Sequence, residues 1–153
     1  MMNRRSWLGA VMGAAAAVVA GGGARVLEAA APIKILVYKS PTCGCCTAWV
    51  DHLNASGFEV TARNVADVAP IKERYGIPAR LASCHTGVVG GYAIEGHVPA
   101  ADIQRLLREK PKAIGLAVPG MPMGSPGMEG SRKDRFDVML VAQGGASRVY
   151  ARH

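Results

Sequence analysis

Three of the chain's four cysteines, Cys43, Cys45 and Cys46, fall within the stretch YKSPTCGCCTAW at residues 38–49. A thiolate, rather than a thiol, attacks disulfides and binds metals, so this spacing has to be tested against both chemistries. Thiol–disulfide exchange needs two thiols, with Cys43 as nucleophile and Cys46 as resolving partner. Cys45 has no part in that reaction and would invite mispairing and overoxidation. A structural disulfide framework explains the cluster less well. Cys45 and Cys46 are neighbours that normal disulfide geometry does not bridge, and the tight loop closed by Cys43 and Cys46 would add little stability.

Metal binding uses all three sulfurs. Crowded thiolates repel one another unless cations lie between them, and monovalent copper is the soft first-row ion that best matches sulfur. A single tetrahedral zinc could take four sulfurs, but neighbours in a tight C-G-C-C turn converge poorly on one point. The packing therefore favours a small polynuclear copper cluster. Further donors lie downstream: Cys84 and His85 in SCHT, His97 in EGHVP, and Met121, Met123 and Met128 in PGMPMGSPGME. Strand neighbours face opposite ways, so Cys84 is the expected ligand of its pair, with His85 turned away unless the hairpin bends there. For His97, ligation competes with a surface or capping role. The methionines show no apolar period, so loop packing competes with thioether ligation, which needs no deprotonation. His52 is expected to be exposed or structural.

The elements that must position these groups can be read in order. IKILVYKS (33–40) is an apolar, β-branched run ending at Pro41, as a buried strand does. Trp49, Val50 and Leu53 then recur at helical spacing, and Gly57 closes the segment. The cysteines thus fall between a strand's end and a helix's first turn. FEVTARNVA (58–66) alternates like a second strand, and 66–76 reads as a short helix restarted near Pro70. Residues 77–98 give two β-rich runs with a turn expected at Thr86-Gly87. Residues 99–110 place Ile103, Leu106 and Leu107 on one helical face. The stretch 113–130 is rich in Pro, Gly and Met and is expected to hold no regular strand or helix, while 136–153 reads as a hairpin about Gly144-Gly145.

The order β-α-β-α-β-β-α describes an α/β, thioredoxin-like fold: a small mixed sheet flanked by helices, here followed by a Met-rich loop and a β-hairpin. In such folds a C-x-x-C stands at the start of the first helix, as Cys43 to Cys46 do. The same resemblance puts a cis-proline opposite the dithiol and maps it onto Pro78.

Residues 1–31 have a basic start, a short apolar run from Trp7 to Ala20 and an alanine-rich end, the pattern of a cleaved export signal. Arg4-Arg5 resembles the twin-arginine signal, with ordinary Sec export as the alternative. The expected product is a periplasmic domain, residues 32–153, with no membrane span once the signal is removed. The chain carries 18 basic and 11 acidic residues. Subtracting the leader's three arginines and one glutamate leaves the mature domain at +5. These charges are scattered singly, without the basic stripe and stacking aromatics of a nucleic-acid surface.

Three strings, YKSPTCGCCTAW, SCHTGVVGGYAIEGHVPAADIQRLL and AVPGMPMGSPGME, together resemble the CopG-type periplasmic copper-resistance proteins, a DUF family of thioredoxin-like metal-binding proteins. The likeness covers residues 33–130. It implies copper bound by Cys43, Cys45, Cys46 and Cys84 in a multinuclear cluster that can pass between Cu(I) and Cu(II). His97, Met121, Met123 and Met128 match the family's strings. The implied function is copper homeostasis and resistance, by storing copper, exchanging electrons with it, or handing it to another exported copper-handling protein.

Overall fold

The computed structural model of the protein describes residues 31–153; the export-signal reading falls outside the described residues. Strand β1, Ile33–Lys39, alternates so that Ile35, Val37 and Lys39 are buried on one face. It stops at Ser40-Pro41, where proline cannot supply a ladder N–H. Helix α1, Gly44–Ala55, takes Cys45 and Cys46 into its first turn, with Cys43 as its N-cap. Cys46, Trp49 and Leu53 form its buried stripe. Gly57, at φ +88°, turns the chain into β2, Phe58–Asn64, which runs parallel to β1.

Helix α2, Ala69–Arg74, carries Pro70 in its first turn and buries a single residue, Lys72. A 3-10 turn at Ala79–Leu81 leads to β3, His85–Val89, antiparallel to β1, and then to β4, Tyr92–Glu95. The turn between β3 and β4 is Gly90-Gly91, both at positive φ, instead of Thr86-Gly87, which lie within β3. Two consecutive residues at positive φ are what a tight hairpin demands, and Thr86 is β-branched and better suited to a strand. Helix α3, Ala100–Glu109, follows and buries Ile103 and Leu106.

The tail differs from its reading in one respect. Gly115–Ala117 form a three-residue strand, β5, paired parallel to β4 and antiparallel to β6, Asp137–Val141. Strand β7, Ser147–Arg152, closes the sheet after the turn at Gly144-Gly145. Among the described residues the strands form one seven-stranded mixed sheet in the order β2-β1-β3-β4-β5-β6-β7. The hairpin therefore extends the sheet through β5, and the sheet is larger than the small one expected.

The main core joins α1 and α3 to one sheet face through Val37, Trp49, Leu53, Ile94, Ile103, Leu106 and Leu116. Trp49 anchors the first helix by donating its indole N–H to Val98 O at 2.9 Å. Alternation sends Thr86 to the other face, where it meets Lys72 of α2. Helices thus cover both faces of the sheet.

The stitch at β5 depends on a missing side chain. A Cβ built on Gly115 would lie 1.7 Å from Ala93 O. Gly115→Ala is expected to destabilise the domain by at least about 1–3 kcal/mol, as overpacking does, read from urea unfolding midpoints.

Candidate metal centre

The end of β1 and the first turn of α1 bring the CxCC sulfurs together. Cys43 N–H donates to Ser40 O, and Cys43 Sγ accepts from Cys46 N–H at 3.4 Å, so the cap of the helix is a cysteine. The positive end of α1 therefore points at sulfur. Cys43 and Cys46 are joined in a disulfide, while Cys45 and Cys84 are free. Cys45 Sγ lies 3.5 Å from Cys43 Sγ. The fourth sulfur arrives from the far side of β1: Cys84 stands just before β3, and its carbonyl lies 3.9 Å from Cys46 Sγ. The donor atoms of Cys43, Cys45, Cys46 and Cys84 all lie within 4.8 Å of one another.

Cys84 belongs to a second group as well. Its Sγ is 3.1 Å from His97 Nε2 and 3.2 Å from His85 Nδ1, and these three donors also lie within 4.8 Å of one another. His97 Nδ1 lies 2.8 Å from Pro126 O. A carbonyl only accepts, so Nδ1 carries the proton and Nε2 turns a lone pair toward the sulfur. His85 lies 4.3 Å from the Trp49 ring, centroid to centroid, and edge-on to His97. Its Nε2 is buried with no hydrogen-bond partner among the described residues.

The expectation that His85 would point away is corrected. Alternation applies within a strand, whereas Cys84 precedes β3 in an irregular segment. His85 is the donor that pattern reading missed, and its adjacency to Cys84 in SCH was the available signal. Pro78 is corrected too: among the described residues there is no cis peptide bond. Its ring packs at the β6–β7 turn, where a Cβ on Gly145 would come within 3.3 Å of Pro78 Cγ. The position beside the dithiol is held by Cys84.

The Met-rich segment crosses the centre as a strap. Ser83 Oγ donates to Gly120 O and Pro126 O receives His97. Gly127, at φ +85°, is pressed onto α1, where a Cβ would lie 2.8 Å from both Cys45 O and Trp49 N. Met121 is 53% exposed. Met123 is half-buried with its methyl toward Gly130, and Met128 is half-buried in the turn that its N–H closes onto Ser125 O. His52 is structural: its Nε2 accepts from Ala100 N–H at 3.1 Å and caps α3.

Residues 81–128, which hold Cys84, His85, His97 and the strap methionines, match the DUF411 family, described as a protein of unknown function. Two solved structures of copper resistance protein CopG, form 1 and form 2, each share 49% identity with this chain. Each alignment covers 80% of this chain and 98% of the other, at a TM-score of 0.76. The chain belongs to the CopG family. No protein of curated function matches it.

In this CopG-family chain burial favours the uncharged forms of His85, His97 and Cys84. Burial, helped by the His97, Lys72 and Lys39 charges, pushes the His85 pKa down to about 3. Burial also lowers that of His97, against the opposing pull of the Pro126 carbonyl. The Cys84 thiol is pushed up to about 11, first by burial and then by Cys45. Near neutral pH the imidazoles offer lone pairs, and Cys84 must give up a proton to whatever it binds.

The His85 shift also fixes a pH dependence. Its folded pKa lies below the ordinary 6.5, so the unfolded chain takes up the proton first and stability falls as pH drops from 6.5 toward 3. Urea unfolding of metal-free protein across that range is expected to show this loss, with a shallower slope for His85→Gln.

Proposed function

We propose that this chain is an exported copper-binding protein of copper homeostasis and resistance. Its metal would be held by Cys43, Cys45, Cys46 and Cys84, joined by His97 and by His85. The observation that carries the reading is the pair of donor groups that overlap at Cys84 Sγ. Six soft or borderline donors exceed what one tetrahedral ion uses, and a sulfur shared between groups is placed to bridge ions. A multinuclear Cu(I) cluster suits such a set. The copper-resistance name of the two CopG structures supports the choice of metal.

A redox role is part of the proposal. Before both sulfurs can bind metal, a dithiol reductant must exchange with the Cys43–Cys46 disulfide and leave as its own disulfide. In the reverse direction the dithiol closes, releasing two protons and two electrons, and two Cu(II) become two Cu(I). The parallel β1-α1-β2 unit, the antiparallel β3-β4 pair and the CxxC at the helix start support a thioredoxin-like scaffold. The N-terminal pattern supports periplasmic export, a compartment where disulfides persist. Exposed Met121 offers incoming copper a first thioether, and Met123 and Met128 add soft donors in the strap. The copper so held would pass to another exported copper-handling protein.

One observation favours a second reading, a thiol–disulfide oxidoreductase. Half-exposed Cys43 and fully buried Cys46 form the disulfide at a helix N-terminus, as a nucleophile and its resolving partner would. Reduction of insulin by metal-free protein, undiminished in Cys45→Ser, would support it; absence of that activity removes it.

Reduced protein loaded anaerobically is expected to carry more than one copper per chain by elemental analysis and to lose copper in Cys45→Ser. Undiminished stoichiometry in that variant would sink the cluster.

A further inference from the structure

Cys84 is essential to both donor groups, yet no regular element holds it. It follows a 3-10 turn and precedes β3, in a segment whose backbone makes no ladder bonds. Its anchorage comes from residue 83. Ser83 N–H donates to Glu95 Oε1 at 2.5 Å, and Ser83 Oγ donates to Gly120 O. Glu95 is fully buried and pairs with Lys72 Nζ at 2.5 Å, while its second oxygen accepts from Thr86 Oγ1 at 2.7 Å. A buried carboxylate is costly unless it is paired and hydrogen-bonded. Lys72 meets that need, and it is the residue α2 buries.

Two further features tie this ion pair to the metal centre. Glu95 and His97 flank Gly96, so one tripeptide carries both the anchor of Ser83 and the imidazole facing Cys84 Sγ. Gly96, at φ +71°, lets the two segments touch: a Cβ there would lie 2.6 Å from Ser83 Cβ. The hydrogen bond between Ser83 and Glu95 thus ties the segment that carries Cys84 to the one that carries His97.

We propose that Glu95, supported by Lys72, is a positioning residue that holds Cys84 against His97 through Ser83 N–H. It touches no donor atom; its hold on Cys84 runs through the backbone of residue 83, while its other oxygen takes the Thr86 hydroxyl. The proposal rests on the copper reading for its purpose, while the clamp itself can be tested without metal.

Two double variants separate anchoring from simple stability. K72M/E95Q removes both charges but keeps a carbonyl for Ser83 N–H. K72M/E95L removes the acceptor as well, and apolar replacement of a buried ion pair is commonly tolerated by the fold. In a Cys45→Ser background Cys84 is the free thiol beside the Cys43–Cys46 disulfide. Its alkylation by iodoacetamide in metal-free protein is expected to be about tenfold faster with K72M/E95L, the scale of losing one hydrogen bond to a charged group. With K72M/E95Q it should stay near the parent rate.

With Cys45 present, competition against a Cu(I) chelator should show affinity lower by about 10–100-fold in K72M/E95L and largely retained in K72M/E95Q, as for the loss of an outer hydrogen bond at a metal site. K72M/E95A, which removes the acceptor with a smaller side chain, should speed alkylation as K72M/E95L does, and it serves if that double variant fails to fold. Equal alkylation rates in the two double variants, or superimposed competition curves, overturn the clamp. An intact alkylation contrast in a protein whose parent takes up no copper supports the clamp and removes the copper reading instead.

Discussion

Cys84 Sγ sits 3.1 Å from one imidazole nitrogen, 3.2 Å from another and within 4.8 Å of three further sulfurs. In the metal-free chain the single Cys84 S–H can serve only one of the two imidazole nitrogens at a time, so these donors stay this close only where the surrounding frame holds them. Each main element contributes to that frame. Helix α1 presents three cysteines at its N-terminus, β3 begins just after Cys84, and β4 ends two residues before His97. Trp49 backs His85 and is itself fixed to Val98 O.

The same burial sets the charge state. Buried His85 and His97 resist protonation and Cys84 resists deprotonation, so the free centre carries little charge despite its many titratable groups. Lys39, paired with His85 in the β1–β3 register, and Lys72 are buried nearby. Lys72 is committed to Glu95 on the other face of the sheet, which leaves Lys39 as the buried basic side chain on the His85 face.

Much of this was legible in the sequence where the signal was local. Pro41 after an apolar run placed the CxCC cluster at a strand–helix junction, and Ile103 and Leu106 marked α3. The methionine strap was recognisable as irregular from its prolines and glycines. What escaped was set by distant partners. Gly115–Ala117 is a strand because β4 and β6 lie on either side of it, and three residues carry no period of their own. The β3–β4 turn was misplaced because Thr86-Gly87 resembles a turn locally, while burial between β1 and β4 makes it strand. His85 was read by strand alternation, which failed because Cys84 lies one residue outside the strand. Pro78 followed a fold-level analogy, and the chain fills the place beside the dithiol with a fourth cysteine.

The strap, residues 118–136, leaves β5 and re-enters at β6, and those two strands pair directly with each other. Its two ends are therefore held side by side by the sheet, whatever its middle does. Lifting Pro126 and Gly127 off His97 and α1 would break a few local contacts and leave every strand pairing intact. In kinetic terms the cover and the cage would be separable: on the copper reading, the rate at which an ion enters or leaves could be tuned by substitutions in the strap that disturb no strand pairing.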